Sequence, residues 1–134
     1  MVAAIEMIRE FFRRMNSNDF AYAAELLSED FVLEWPQSAE RIRGRANFVA
    51  VNAEYPAQGP WCFTINRLVG NESEVVSDVS VTDGVIHARA ITFHTLQAGL
   101  ISRQVEFWPE NYPAPADRRH LVEPLDQSWT ASGG

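Results

Sequence analysis

The residues best suited to chemistry are polar side chains spaced two apart in the last third of the chain. Gln104, Glu106 and Trp108 alternate along one segment, and Thr92 and His94 alternate along the segment before it. Because successive strand residues point to opposite faces, each set lies on one face of a strand. On a face that lines an apolar cavity, a carboxylate loses hydration and its pKa rises toward neutrality. Glu106 is therefore predicted to be a general acid/base for enolisation, aldol closure or isomerisation.

Each of these side chains also has a purely structural interpretation. Glu106 is also explained as a buried carboxylate hydrogen-bonded to Thr92, Asn52 or an arginine, since structural networks also perturb pKa values. His94 is a second candidate acid/base, but a histidine at a cavity edge is more often packed with one nitrogen satisfied. The two lie too far apart along the predicted sheet for a direct pair, so no catalytic dyad is predicted.

Length, charge and residue usage exclude several classes of function. The chain has 134 residues, which predicts a single domain over 1–134, and a net charge of -7, which disfavours nucleic acid and anionic membranes. No apolar run approaches the roughly 20 residues of a membrane span. The three histidines lack metal-ligand spacing and nucleotide-binding glycine motifs are absent, so neither a metal nor a cofactor is predicted. A single cysteine fits a reducing cytoplasm.

Hydrophobic spacing predicts helices in the first half of the chain and strands in the second. Predicted helices cover about 2–15, 20–27 and 45–55, the second capped by Ser17 or Asn18. A short strand at 31–35 precedes four strands at about 61–69, 74–82, 85–96 and 100–108. Helices first and an antiparallel meander after predict an α+β fold. A strongly curved sheet wrapped over the three helices would form a cone with an internal cavity, and the Pro-rich segment 109–134 would be a C-terminal arm.

Turn residues set the predicted strand register. Asp83-Gly84 is predicted to be a two-residue hairpin turn, which places Asp78 opposite Arg89. A turn centred on Ala98 places Thr92 opposite Gln104 and Ala90 opposite Glu106. One face then carries Ala90, Thr92, His94, Gln104, Glu106 and Trp108, and the other carries Arg89, Phe93, Arg103, Val105 and Phe107. Periodicity alone does not say which of the two faces is inside.

Two stretches of the chain resemble a known superfamily. Residues 18–36, with Ser28-Glu29-Asp30-Phe31-Val32-Leu33-Glu34-Trp35-Pro36, and the strand 99–108 resemble nuclear-transport-factor-like proteins, which include ketosteroid isomerases and SnoaL-like polyketide cyclases. The resemblance covers about residues 4–112. It implies a conical α+β barrel with an apolar cavity, and it places the face with Glu106 inside.

The resemblance also implies a set of ligand-contacting residues and a dimer. The predicted binding residues for a small apolar molecule are Phe11, Trp35, Asn52, Tyr55, Ala90, Thr92, Gln104 and Trp108. The outer sheet face, with Phe93, Val105 and Phe107, is expected to form a homodimer. Arg41, Arg43 and Arg45 form a basic cluster that either attracts an anionic substrate or, as short runs usually do, forms a solvated turn.

Two functional hypotheses follow from these residues. Matched residue by residue, the tyrosine and two aspartates of ketosteroid isomerases fall on Phe11, Trp35 and Thr92, so that mechanism is not expected here. The first hypothesis is a cofactor-free isomerase, cyclase or dehydratase that uses Glu106 on a compact carbonyl compound. The alternative is a non-catalytic ligand-binding or dimeric assembly module on the same scaffold.

Overall fold

The computed structural model describes residues 3–125, which form three α-helices and one curved six-stranded sheet. The elements, in chain order, are α1 Ala3–Met15, α2 Phe20–Ala24, β1 Leu27–Trp35, β2 Glu40–Arg43, α3 Gly44–Glu54, β3 Cys62–Gly70, β4 Glu74–Thr82, β5 His87–Gln97, β6 Leu100–Phe107 and a 3-10 helix Ala116–Leu121. The predicted α+β fold is confirmed. The end of the predicted arm, 126–134, lies outside the described residues.

The strand order is β2-β1-β6-β5-β4-β3, so β2 and β3 form the two edges of an open sheet over residues 3–125. All neighbouring strands are antiparallel except β1 and β6, which run parallel. This one parallel pair brings the end of β1 beside the end of β6, far apart in sequence. It is the feature of the topology that assembles the site described below.

Helix α1 buries one apolar stripe against the concave face of the sheet. Ile8, Phe11, Phe12 and Met15 are buried at helical spacing, while Glu10 on the opposite side pairs with Arg13 and Arg14. Phe11 and Phe12 also pack edge-on against each other, with ring centroids 5.1 Å apart. Burying these rings holds the helices over the sheet and leaves space between the two layers.

The turn after α1 is attached to the edge strand β3 by two asparagines. Asn18 accepts from Trp61 N at 2.8 Å and donates to Trp61 O at 2.7 Å, and Asn16 contacts Phe63 in the same way. These side chains satisfy backbone groups that an edge strand would leave open. The prediction that Ser17 or Asn18 caps α2 is wrong, because Asp19 is the cap and accepts from Tyr22 N.

The turn between β4 and β5 differs from the prediction. Thr82 pairs with His87, so the connection contains four residues, 83–86, rather than the two predicted. The buried Asp83 carboxylate accepts backbone N–H groups from Gln58, Val85 and Ile86, which stabilises the longer loop and lowers the pKa of Asp83. Asp78 therefore lies opposite Ile91, and the predicted ion pair with Arg89 forms diagonally, at 2.6 Å.

The predicted register between β5 and β6 is also shifted. The turn is the pair Ala98-Gly99, both with positive φ, and a bulge near Thr95 adds a residue to the ladder. Consequently Thr92 lies opposite Glu106, not Gln104, and His94 lies opposite Gln104. Because the shift is two residues, every side chain stays on its predicted face.

Candidate functional site

The concave face of the sheet and the helices α1 and α3 form the walls of a cavity of about 820 Å³. A volume of this size falls in the range that holds compact organic ligands. Its wall combines aromatic rings of α1, β1 and α3, and the indole of Trp108 just after β6, with aliphatic side chains of β4 and β5. The predicted residues that line it are Phe11, Trp35, Asn52, Tyr55, Ala90, Gln104, Glu106 and Trp108.

Glu106 lies on the cavity wall with both carboxylate oxygens held by neutral donors. Trp35 Nε1 donates to Oε1 at 3.0 Å, and Thr92 Oγ1 donates to Oε2 at 2.7 Å. Desolvation raises the pKa of Glu106, although the donors Thr92, Trp35 and Trp108 oppose that rise. The carboxyl is therefore held in position and is more easily protonated than a glutamate in water.

No ion pair among residues 3–125 includes Glu106. Other carboxylates of this protein behave differently, because Arg103 and Arg41 lower the pKa of Glu34 and Arg89 lowers that of Asp78. A carboxylate stabilised by a cation is a weak base. Glu106 lacks that stabilisation, which leaves it able to exchange a proton with a bound molecule.

His94 and Thr92 lie behind the cavity wall, not on it. His94 is fully buried, with Nε2 2.8 Å from Ser77 Oγ and Nδ1 3.0 Å from Gln104 Nε2. Since an amide nitrogen only donates, His94 Nδ1 is the acceptor and Nε2 carries the hydrogen. Burial lowers the pKa of His94 to about 3, so the ring is neutral at ordinary pH.

These positions change the interpretation of both residues. His94 is buried and neutral and is not part of the cavity lining, which favours the structural interpretation over a role as a second acid/base. Thr92, predicted to contact ligand, instead contacts the Glu106 carboxylate and positions it. Gln104 connects the two layers, since it lines the cavity while its amide is held by His94.

Two polar groups lie elsewhere on the wall. Asn52 on α3 is half-buried and donates from Nδ2 to Phe48 O at 2.9 Å, as an amide in the last turns of a helix can. Tyr55, just after α3, is 56% exposed and packs its ring edge against Trp61 at the opening of the cavity. Asn52 is therefore placed to contact a ligand inside, and Tyr55 to contact one that enters.

Sequence reasoning missed the polar rim formed by the β1–β2 turn and the start of the arm. Gln37, Ser38 and Glu40 line the cavity there, together with Glu110. Gln37 binds the backbone of Trp108, accepting from its N–H at 2.6 Å and donating to its C=O at 3.2 Å. Strand β2 has only four residues, which is too few to show an alternation of apolar and polar side chains. Pro36 was therefore the one sequence signal for a turn between β1 and β2.

The basic cluster lies away from the cavity, as the solvated alternative predicts. Arg41 pairs with Glu34 at 3.0 Å, and Arg45 approaches Glu29 at 3.9 Å. Neither these residues nor Arg43 lines the cavity. Within residues 3–125, no group of three or more histidine, cysteine, aspartate or glutamate side chains is arranged to hold a metal ion. No helix of that part of the chain is long and apolar enough to cross a membrane.

Comparison with protein families identifies the scaffold. The model of the SnoaL-like domain matches residues 8–104, which is well over half of the chain. This protein belongs to the SnoaL-like domain family. A search of the curated proteins finds no significant match.

Solved structures extend the comparison of this SnoaL-like protein. A provisionally assigned ketosteroid isomerase from Kribbella flavida is 36% identical, with a TM-score of 0.86 over 96% of this chain and 93% of the other. An NTF2-like protein of unknown function from Burkholderia xenovorans is 20% identical, with a TM-score of 0.77 over 92% and 96%. A provisionally assigned SnoaL-like polyketide cyclase from a Jannaschia species is 15% identical, with a TM-score of 0.68 over 80% and 85%. The last two show the fold alone.

Proposed function

We propose that this SnoaL-like protein is a cofactor-independent proton-transfer enzyme of the isomerase, cyclase or dehydratase kind. Its substrate is a small, mainly apolar carbonyl compound, and Glu106 is the general acid/base. The observation that carries this proposal is a carboxyl group on the wall of a cavity of about 820 Å³, held only by neutral donors. The 36% identical relative assigned as a ketosteroid isomerase supports the reaction class.

Desolvation supports the role of Glu106. A general base works best when its pKa lies near the operating pH, and burial moves the pKa of Glu106 in that direction. In an isomerisation, Glu106 takes the proton from the carbon next to the carbonyl, and the C–H electron pair forms the enolate. The protonated carboxyl then returns the proton to the γ carbon, so the double bond moves and no other reactant is consumed.

The contact between Trp35 and Glu106 supports proton transfer in a chain that lacks the catalytic residues of ketosteroid isomerases. The resemblance to ketosteroid isomerases places their catalytic base at position 35, where this chain has an indole. Trp35 Nε1 lies 3.0 Å from Glu106 Oε1, so a carboxyl from β6 reaches the neighbourhood of that position. Thr92, at a second substituted position, binds the other oxygen of the same carboxyl. We infer that the base has moved to a neighbouring strand.

Amide groups on the cavity wall are suited to orient the substrate. Asn52 uses one amide hydrogen on Phe48 O, and Gln104 uses one on His94. Each amide therefore has a second N–H for a substrate carbonyl, and a donor at the developing enolate oxygen stabilises the transition state.

Exchange of carbon-bound hydrogen tests the proposal. Small cyclic ketones and β,γ-unsaturated ketones would be incubated with the protein in deuterated water, and deuterium uptake followed by NMR. We expect uptake next to the carbonyl to exceed the buffer rate, and to rise with pH as Glu106 loses its proton. Ketones that bind, as judged by quenching of tryptophan fluorescence, but exchange no faster than in buffer would contradict it.

The second candidate is non-catalytic ligand binding, and one observation favours it. Both oxygens of Glu106 accept a hydrogen bond from the protein itself, so the carboxyl is satisfied as a structural group. Retention of a small apolar molecule through purification, together with no hydrogen exchange in any bound ketone, is the outcome expected of this alternative.

We also propose that two copies associate through the outer face of the sheet. Phe93 on β5 is 43% exposed there, opposite Val105 and edge-on to Phe107, with ring centroids 6.3 Å apart. We expect sedimentation velocity at micromolar concentration to give a dimer, and Phe93→Arg to give a monomer. A monomeric wild-type protein at that concentration would contradict the proposal.

A further inference from the structure

The charged side chains on the cavity lining are all acidic. The lining includes three carboxylates, Glu40, Glu106 and Glu110, and no arginine or histidine from the described part of the chain. The protein as a whole contains 11 basic residues, all of them arginine, so the absence is local to this surface. Tyr55 is the other titratable group on the lining. Any charged group that enters the cavity therefore meets only negative or neutral neighbours.

Two of the carboxylates, Glu40 and Glu106, flank the indole of Trp35 on the sheet. Glu40 is the direct partner of Trp35 across the β1–β2 pair, so both side chains lie on the concave face. Glu106 lies on the other flank of Trp35 and contacts its indole nitrogen. Trp108, just after β6, and Glu110, two residues later, also line the cavity. This part of the lining thus combines carboxylates with indole rings.

This combination of carboxylates and indole rings fits an organic cation better than a metal ion. Residues 3–125 contain no group of three or more acidic, histidine or cysteine side chains close enough to hold a metal. An ammonium group on an organic frame is larger, and it is attracted both to carboxylates and to the faces of tryptophan rings. The aliphatic and aromatic wall deeper in the cavity suits the apolar part of the same molecule.

We infer that the ligand of this cavity carries a protonated amine on an apolar frame, with the ammonium at the rim formed by Glu40, Trp35, Trp108 and Glu110. The inference rests on the proposed function in so far as it places the ligand in the same cavity. The carbonyl end then lies farther inside, within reach of Glu106 and Asn52. Anionic molecules of the same shape are excluded, because the lining offers them no positive partner.

Three probes of matched shape test the charge preference. Adamantylmethylamine, adamantylmethanol and adamantane carboxylate share a compact apolar cage and differ in charge at neutral pH. Binding would be measured by calorimetry and by the fluorescence of the tryptophans on the lining. We expect the amine to bind at least tenfold more tightly than the alcohol, and the carboxylate to bind more weakly than the alcohol. Because the rim carboxylates are exposed, added salt should reduce the preference.

The double variant Glu40→Gln, Glu110→Gln identifies the source of the preference. We expect it to reduce the ratio of amine to alcohol affinity several-fold, while affinity for the alcohol stays the same. Equal binding of amine and alcohol by the wild-type protein overturns the inference, and so does an unchanged ratio in the double variant.

The proposed function fails in a different way. Absence of hydrogen exchange in bound neutral ketones removes the catalytic role of Glu106 but leaves the charge preference standing. Conversely, if the protein exchanges hydrogen in neutral ketones but binds the amine no more tightly than the alcohol, catalysis is supported and only the inference of a cationic ligand is overturned.

Discussion

Replacing Glu106 with glutamine is expected to lower the rate of proton transfer at least about a hundredfold, the usual contribution of a positioned general base. Glutamine has nearly the same shape, so it can still accept from Trp35 Nε1 and contact Thr92 Oγ1. It carries no charge, however, and cannot take a proton from carbon. The rate of deuterium uptake into a bound ketone measures the loss.

The same substitution should not unfold the protein. Because burial disfavours the charged carboxylate at neutral pH, we expect Glu106→Gln to leave the melting temperature unchanged or to raise it. Glu74→Gln is the matched control, since Glu74 lies on the same sheet but is exposed and bound to Thr95. That control should keep full activity. A Glu106→Gln protein that is as active as wild type would remove Glu106 from the mechanism.

Acidification should weaken the fold through His94. Its pKa is lowered from 6.5 to about 3 in the folded protein, so below pH 6.5 the unfolded chain binds a proton that the folded chain does not. Stability is therefore lost as the pH falls, at about 1.4 kcal/mol per pH unit. Between pH 6.5 and 4 the contribution reaches about 3 kcal/mol, to be measured by urea denaturation.

A variant separates this effect from the other titrating groups. Glu106, whose pKa is raised, favours the folded state as the pH falls, whereas Glu34, Asp78 and Asp83, whose pKa values are lowered, oppose it. The His94→Gln variant keeps all of these groups. The two proteins should therefore differ in how steeply the free energy of unfolding changes with pH, and that difference is the contribution of His94. If that variant does not fold, NMR titration of the wild-type ring gives the same information. A ring that protonates near pH 6.5 in the folded protein would contradict the prediction.

Local patterns in the sequence predicted the sheet faces and most of the elements. The predicted helix 20–27 ends at Ala24, however, β1 begins at Leu27 rather than at residue 31, and β2 was not predicted. The stripe of α1 and the alternation around Glu106 depend on neighbouring residues alone, and the structure reproduces both. The register did not follow from turn residues, because the Asp83 carboxylate stabilises a four-residue loop and a bulge near Thr95 adds a residue to the ladder. Each change depends on contacts that a two-residue turn signal does not contain.

The hydrogen bonds within the site were harder to predict from the sequence than the residues that form the site. The family resemblance places Trp35 and Glu106 at the cavity, but their hydrogen bond depends on β1 running parallel beside β6. A period-two pattern carries no information about which strand is the neighbour. For the same reason it could not distinguish Gln104, which lines the cavity, from His94, which lies directly opposite and behind the wall.

The proposed role of Glu106 as a general acid/base depends most directly on the pKa of its carboxyl group. It can be measured in the free protein by isotope-edited NMR titration of glutamate side chains, with Glu106→Gln to assign the signal. We predict a value above the usual 4.5, because desolvation outweighs the three neutral donors, and a further rise in Trp35→Phe, which lacks one donor. A value at or below 4.5 would show a solvated or paired carboxylate and would contradict the proposed role.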